Sequence, residues 1–268
     1  MPRSFISSRR LYTLIGAASA VIAAPASSAA LFAYEGFDYD NGGVLHAKTG
    51  GSGWSIPWQA TVGTSAIAGP SLSHPNSLPT TGNALATNGS VALRYFAADI
   101  DPGATEFWTS VIMRRDASTS GGAFRFVGPT GAETTFAAVV GFGTANAPVI
   151  LAEVFGGNIG ATSTAAETIP AGSTDLYVMH VVPMGATYRV DLIINPSLGD
   201  TAVDASLTIA NTTPLRGLVL TGVQGPTNFG FDEIRFGDSF DDVAFIPAPP
   251  ITMMLAAALP LAARRRRR

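Results

Sequence analysis

Cysteine is absent from the 268-residue chain. That removes disulfide staples, thiolate metal sites and cysteine nucleophiles together, so stability has to come from buried apolar surface. Histidine is nearly as scarce, with only His46, His74 and His180 to supply an imidazole base. Charged residues make up only 13% of the chain. Between Leu31 and Ile246 no long amphipathic helical pattern is present, which excludes a helical bundle or an α/β fold with helical crossovers.

The two ends are organised differently from the middle. Arg3, Arg9 and Arg10 precede an uncharged run from Leu11 to Ala24, and small residues follow at Ala26, Ser27, Ser28, Ala29 and Ala30. A basic cluster, an apolar stretch of this length and a small-residue cleavage region define a secretory signal peptide over residues 1–30. At the other end stand Ile246-Pro247-Ala248-Pro249-Pro250, an apolar run from Ile251 to Ala263 broken by Pro260, and Arg264, Arg265, Arg266, Arg267 and Arg268. In helical form the run from Ile251 to Ala263 reaches about 20 Å, short of a hydrocarbon core of roughly 30 Å. The arginines resist translocation, so residues 251–263 make a transient inner-membrane contact. This order of proline motif, short apolar helix and arginine cluster resembles the PEP-CTERM sorting signal. The resemblance implies a signal peptidase and an exosortase-type transpeptidase as partners, with Pro247, Pro249 and Arg264 to Arg268 as the residues read. The usual Val-Pro-Glu-Pro is here Ile246-Pro247-Ala248-Pro249, so Ala248 stands where the glutamate belongs.

Removing both ends changes the electrostatics. The formal charge of −3 includes sixteen basic and nineteen acidic residues, and eight of the basic ones lie in the ends while no acid does. Residues 31–246 therefore carry eight basic against nineteen acidic side chains, a charge of −11. Such a body repels phosphate backbones, which excludes nucleic acid as a partner.

Inside the body, short runs rich in Val, Ile, Phe, Tyr and Thr are punctuated by Gly, Pro, Asn and Asp. The spacing predicts strands at Leu31–Phe37, Ser90–Phe96, Glu106–Arg114, Gly122–Val127, Thr135–Phe142, Val149–Phe155, Leu176–Pro183, Tyr188–Asn195, Leu215–Thr221 and Phe229–Phe236. Residues 56–89 read as long loops with at most short edge strands. About ten strands without crossovers point to an all-β, two-sheet antiparallel sandwich or jelly roll over residues 31–246.

Four stretches carry a further likeness: Tyr34-Glu35-Gly36-Phe37-Asp38-Tyr39, Gly51-Ser52-Gly53-Trp54, Val190-Asp191-Leu192-Ile193-Ile194-Asn195-Pro196 and Phe231-Asp232-Glu233-Ile234-Arg235-Phe236-Gly237. Together they resemble the laminin-G-like, concanavalin A-like jelly rolls of PEP-CTERM surface proteins. The resemblance implies that the opening and closing segments lie side by side. It also brings in calcium, since related jelly rolls often hold an ion where first and last strands meet; Asp232, with backbone near Asp38, is the candidate ligand set. The competing reading gives Asp232 to turn amides and Glu233 to an arginine.

Catalytic chemistry finds little support. Glycosidases of this fold place paired carboxylates at alternate strand positions, and no Glu-x-Asp-x-x-Glu word occurs here. Asp232 and Glu233 are adjacent, so on a regular strand they point to opposite faces. Gly50-Gly51-Ser52-Gly53-Trp54 is not a nucleophile elbow, and Gly141-Phe142-Gly143-Thr144-Ala145-Asn146 lacks the third glycine of a dinucleotide loop. Asp38-Tyr39-Asp40-Asn41-Gly42 imitates an EF-hand start, but position twelve would be Thr49. Among the tryptophans, Trp108 reads as packed within a strand, and Trp58, after Pro57 in a loop, reads as the one that would meet a sugar ring. The chain is thus expected to be an exported, non-catalytic cell-surface or extracellular-matrix protein with a capacity for envelope polysaccharide. The alternative is a secreted glycan-active enzyme of the same fold with a divergent active site.

Overall fold

The computed structural model describes residues 31–244, apart from 75–79, 118–120, 130–133, 141–146, 155–157, 198–200, 211–212 and 223–227. Along 61–64, 134–140, 150–154 and 158–160 it describes the backbone alone. The signal segment 1–30 and the sorting tail 247–268 lie outside the described residues, as do the two terminal helices expected there. All described residues belong to one unit.

The described residues form thirteen strands: β1 (Leu31–Glu35), β2 (Gln59–Ala68), β3 (Ala84–Ile100), β4 (Phe107–Arg115), β5 (Gly122–Val127), β6 (Thr134–Val140), β7 (Val149–Val154), β8 (Asn158–Thr164), β9 (Thr174–Pro183), β10 (Tyr188–Ile194), β11 (Ala205–Ile209), β12 (Leu215–Gly222) and β13 (Phe229–Gly237). One short helix, α1 (Phe240–Ala244), follows. Every run expected as a strand overlaps one. The expectation of long loops over 56–89 is corrected, because β2 and the start of β3 occupy much of it. Their residues are mostly Ala, Gly, Ser and Thr, too small to register as a strand pattern.

The strands run β11-β10-β9-β4-β13-β3-β12-β5-β6-β7-β8, with β1 on β13 and β2 on β3. Strand β3 spans two leaves: Leu85 to Thr87 pair with β13, whereas Val91 to Tyr95 pair with β12. Beyond that crossing, β11 at one extreme packs against β7 and β8 near the other, so the leaves fold over each other. The fold is an all-β, antiparallel jelly roll.

Inward-facing positions of both leaves meet in one core. Phe107, Val111 and Met113 of β4, with Tyr177, Met179 and Val181 of β9, lie in it with Phe124, Phe126, Leu218 and Leu220 of the other leaf. Burying each such side chain is worth roughly 1.5–3 kcal/mol before chain entropy is subtracted. Residues of opposite parity on the first leaf, Ile112, Leu176, Val178 and Ile193, form a second cluster with Leu72, Val243 and Ala244. Helix α1 and the segment at Leu72 therefore cover part of the outer face of this leaf. The helix is fastened where Ser110 Oγ donates to the Val243 carbonyl at 2.7 Å.

A bulge midway along β13 keeps that strand's apolar residues inside. Phe229, Phe231, Ile234 and Phe236 are all core residues, yet three positions separate Phe231 from Ile234. Strict alternation would turn half of them outward. The pairing with β4 shifts register between Asp232 and Arg235, and Glu233 takes φ 48°, which resets the face after one extra residue.

Candidate functional site

The opening and closing strands meet side by side, Tyr34 opposite Arg235 and Glu35 opposite Ile234. This seam gathers most of the residues singled out in the sequence. Glu35 points inward and is almost fully buried, as is Arg94 of β3, and the two form an ion pair. The Glu35 carboxylate also accepts from the Phe37 amide at 2.8 Å, Tyr39 hydroxyl at 2.9 Å and Trp58 Nε1 at 2.8 Å. Arg94 donates onward to the Gly50 carbonyl at 2.6 Å and lies over Trp54 and Trp58, 5.0 and 5.4 Å from their ring centres. Burial, together with the Glu35 charge, pushes the Tyr39 hydroxyl well above its ordinary range, so it stays a donor to that carboxylate.

The Gly51-Ser52-Gly53-Trp54 stretch explains itself here. Ser52 exchanges backbone bonds with Tyr34 at 2.9 and 3.0 Å. Gly51 and Gly53 sit at φ 74° and 79°, and a Cβ on either would strike the β1 backbone. Glycine is required because the loop lies directly on β1. Trp54 then donates to the Tyr34 carbonyl at 2.8 Å and stacks on Phe96.

Asp232 is fully buried beside the segment at Ser71 and Leu72. Its Oδ2 accepts from Ser71 Oγ at 2.5 Å and the Leu72 amide at 2.8 Å, while Oδ1 accepts from the Glu233 amide at 2.8 Å. Burial pushes its carboxyl up to about 8, outweighing the lowering effect of these bonds. Glu233 accepts from the Tyr34 hydroxyl at 3.2 Å and pairs with Arg235 at 2.8 Å.

These contacts decide between the two readings of the closing acids. Three donors already point at the lone pairs a calcium ion would need, so the Asp232 site does not fit a cation. Asp38 is exposed and adds no ligand cluster; among the described residues no group of three or more His, Asp or Glu could hold a metal ion. The expectation that Trp58 meets sugar is likewise corrected. It is completely buried, stacked on Phe37 and bonded to Glu35, so neither ring face reaches solvent. Pro247, Pro249 and Arg264 to Arg268 lie outside the described residues.

The three histidines do not converge on one nucleophile. His46 Nδ1 accepts from the Ala60 amide at 3.3 Å, and His180 meets Glu106 at 2.8 Å. His74 is buried, and desolvation lowers its affinity for a proton against the opposing pull of Asp175. Sequence reasoning missed Glu35 and Arg94 as partners, since no local spacing links residues fifty-nine positions apart. It also missed a cross-strand row on the outer face of the first leaf, where Trp108 stacks on His180 with ring centres 3.8 Å apart.

No family model matches the chain, and no curated protein is similar to it in sequence. Solved structures do match. The globular domain of T. cruzi calreticulin aligns with a TM-score of 0.50 at 11% identity, over 80% of this chain and 90% of that one. An endo-1,3-β-glucanase from Streptomyces sioyaensis aligns at 0.47 and 11% identity, over 80% and 97% of the two chains. A legume lectin-like domain from Entamoeba histolytica aligns at 0.41 and 7% identity, over 68% and 90%. The neighbours are concanavalin A-like and legume-lectin-like jelly rolls, and at these identities the likeness defines the fold class alone.

Proposed function

We propose that the protein is an exported cell-surface or matrix component whose jelly roll binds glycan and does not cut it. The observation that carries this reading is the fate of the seam's acids within a lectin-type sandwich. Glu35 is held by Arg94, Trp58 and Tyr39, Asp232 by Ser71 and two amides, and Glu233 by Arg235 and Tyr34. A glycosidase needs one carboxyl free to give a proton and a second facing the sugar. Acids committed in this way stabilise the fold instead.

Export and sorting rest on the two arginine-flanked ends, which resemble a signal peptide and a PEP-CTERM tail, and on the laminin-G-like stretches between them. Mass spectrometry of protein recovered from the envelope tests this part: the expected chain begins near Leu31 and lacks Arg268. Intact polypeptide in the cytosol would overturn it. For the body, a glycan panel run with and without calcium is expected to show retention that is indifferent to the ion. Release of reducing sugar from any retained glycan would instead favour a glycan-active enzyme with a divergent site.

A further inference from the structure

Four side chains on four neighbouring strands form one cross-strand row on the outer face of the first leaf. Trp108 of β4 lies opposite His180 of β9, His180 opposite Asp191 of β10, and Asp191 opposite Ser206 of β11. Glu106 and Arg189 flank it. Helix α1 covers the neighbouring positions of this face, Val178 and Ile193, and stops at the row, where Phe240 sets its ring 5.3 Å from Trp108. Access varies along the row: Ser206 is exposed, Trp108 and His180 are half-buried and Asp191 is buried, while the flanking Glu106 and Arg189 are 58% and 43% exposed.

The row is cross-linked by ring stacking and hydrogen bonds. Trp108 and His180 stack within 8° of parallel, and His180 Nε2 meets Glu106 at 2.8 Å. Arg189 pairs with Asp191 at 2.9 Å, and Ser206 Oγ donates to the same carboxylate at 2.6 Å. Side chains already locked by one another lose little entropy when a ligand arrives. Among the described residues the arginine beside the row, Arg189, is already matched by Asp191, so its charge is not spare for a uronate, sulfate or phosphate. What solvent reaches is the Glu106 carboxylate, the Arg189 guanidinium and the Ser206 hydroxyl, beside the half-buried rings of Trp108 and Phe240. Four strands at about 4.8 Å spacing make the row roughly 14 Å long, more than one sugar ring.

We infer that this row is the glycan contact surface and that it takes a neutral, hydroxyl-rich oligosaccharide lying across β4, β9, β10 and β11. The inference rests on the glycan-binding reading and names its site and ligand class. The test uses calorimetric titration of the full body with neutral cello-oligosaccharide and β-1,3-glucan fragments, and with oligogalacturonate as the acidic probe. Binding of a neutral probe in preference to the acidic one is expected. Trp108→Ala should weaken it on the order of tenfold or more. Because Trp108 also packs on α1, the exposed-site variants Ser206→Arg, which obstructs the row, and Glu106→Gln carry the test if that protein fails to fold. Tyr95→Ala, on the other leaf, should change nothing. Neutral-glycan binding that survives Ser206→Arg and Glu106→Gln, or preference for oligogalacturonate, overturns the row while leaving glycan binding intact. Absence of binding to every probe on the panel overturns the glycan reading itself. A dimer of the wild type that dissociates in the Ser206→Arg protein would assign the face to a second copy and overturn the inference.

Discussion

Two arginine–carboxylate pairs in this protein share a chemistry and differ in setting. Arg94 and Glu35 are 2% and 1% exposed at the seam, whereas Arg189 and Asp191 are 43% and 6% exposed on the open face. In the first, removing either partner strands a charge where water cannot reach it. In the second, solvent screens the arginine and replaces much of what the partner supplied. The buried pair therefore specifies how the chain closes, and the open pair shapes a surface.

The largest expected effect is at the seam. Glu35→Ala leaves the Arg94 guanidinium buried without its countercharge and should lower unfolding free energy by about 3–5 kcal/mol, read from urea denaturation. The double variant Glu35→Leu with Arg94→Met should recover most of that loss; if it remains as unstable as the single variant, the pair contributes more than mutual compensation. Trp58→Phe keeps the stack on Phe37 and deletes one donor to the Glu35 carboxylate, for an expected loss of about 1–3 kcal/mol.

Asp232 gives a pH signature between these extremes. Its folded value, about 8, lies above the ordinary carboxyl range, so the folded state keeps a proton that the unfolded chain has already released. Its contribution to stability is full below about pH 4 and is lost as pH rises through about 8. Asp232→Asn should flatten that slope, whatever it does to the overall level, in unfolding curves collected from pH 4 to 9. A slope unchanged in the variant would assign the pH dependence elsewhere. The smallest effect belongs to the open pair: Arg189→Gln should cost less than about 1 kcal/mol, and a loss as large as that of Glu35→Ala would erase the contrast.

Much of the fold was legible because large apolar residues alternate at strand spacing, as in Tyr188 to Ile194, where Tyr188, Val190 and Leu192 all enter the core. Strands β2 and β8 were not, because Ala, Gly, Ser and Thr give little contrast between the faces, and β11 alternates over only five residues. Helix α1 was too short to show a period, at five residues. The site was less legible than the fold. Asp232 and Glu233 stood out as adjacent acids, and the structure gives both to structural donors. The bulge at Glu233 was invisible because its signal is a change of phase in β13, not a residue type. Trp58 looked exposed from its neighbour Pro57, but a distant carboxylate draws it inside. The Trp108 row depends on register across four strands, which no local pattern encodes.

The most direct measurement follows binding and turnover together: a reducing-end-labelled neutral oligosaccharide is incubated with the body, and both its retention and its length are read. The account predicts saturable retention with the sugar recovered at full length. Shortened products would contradict it, since they require a free pair of carboxyls that the seam does not leave.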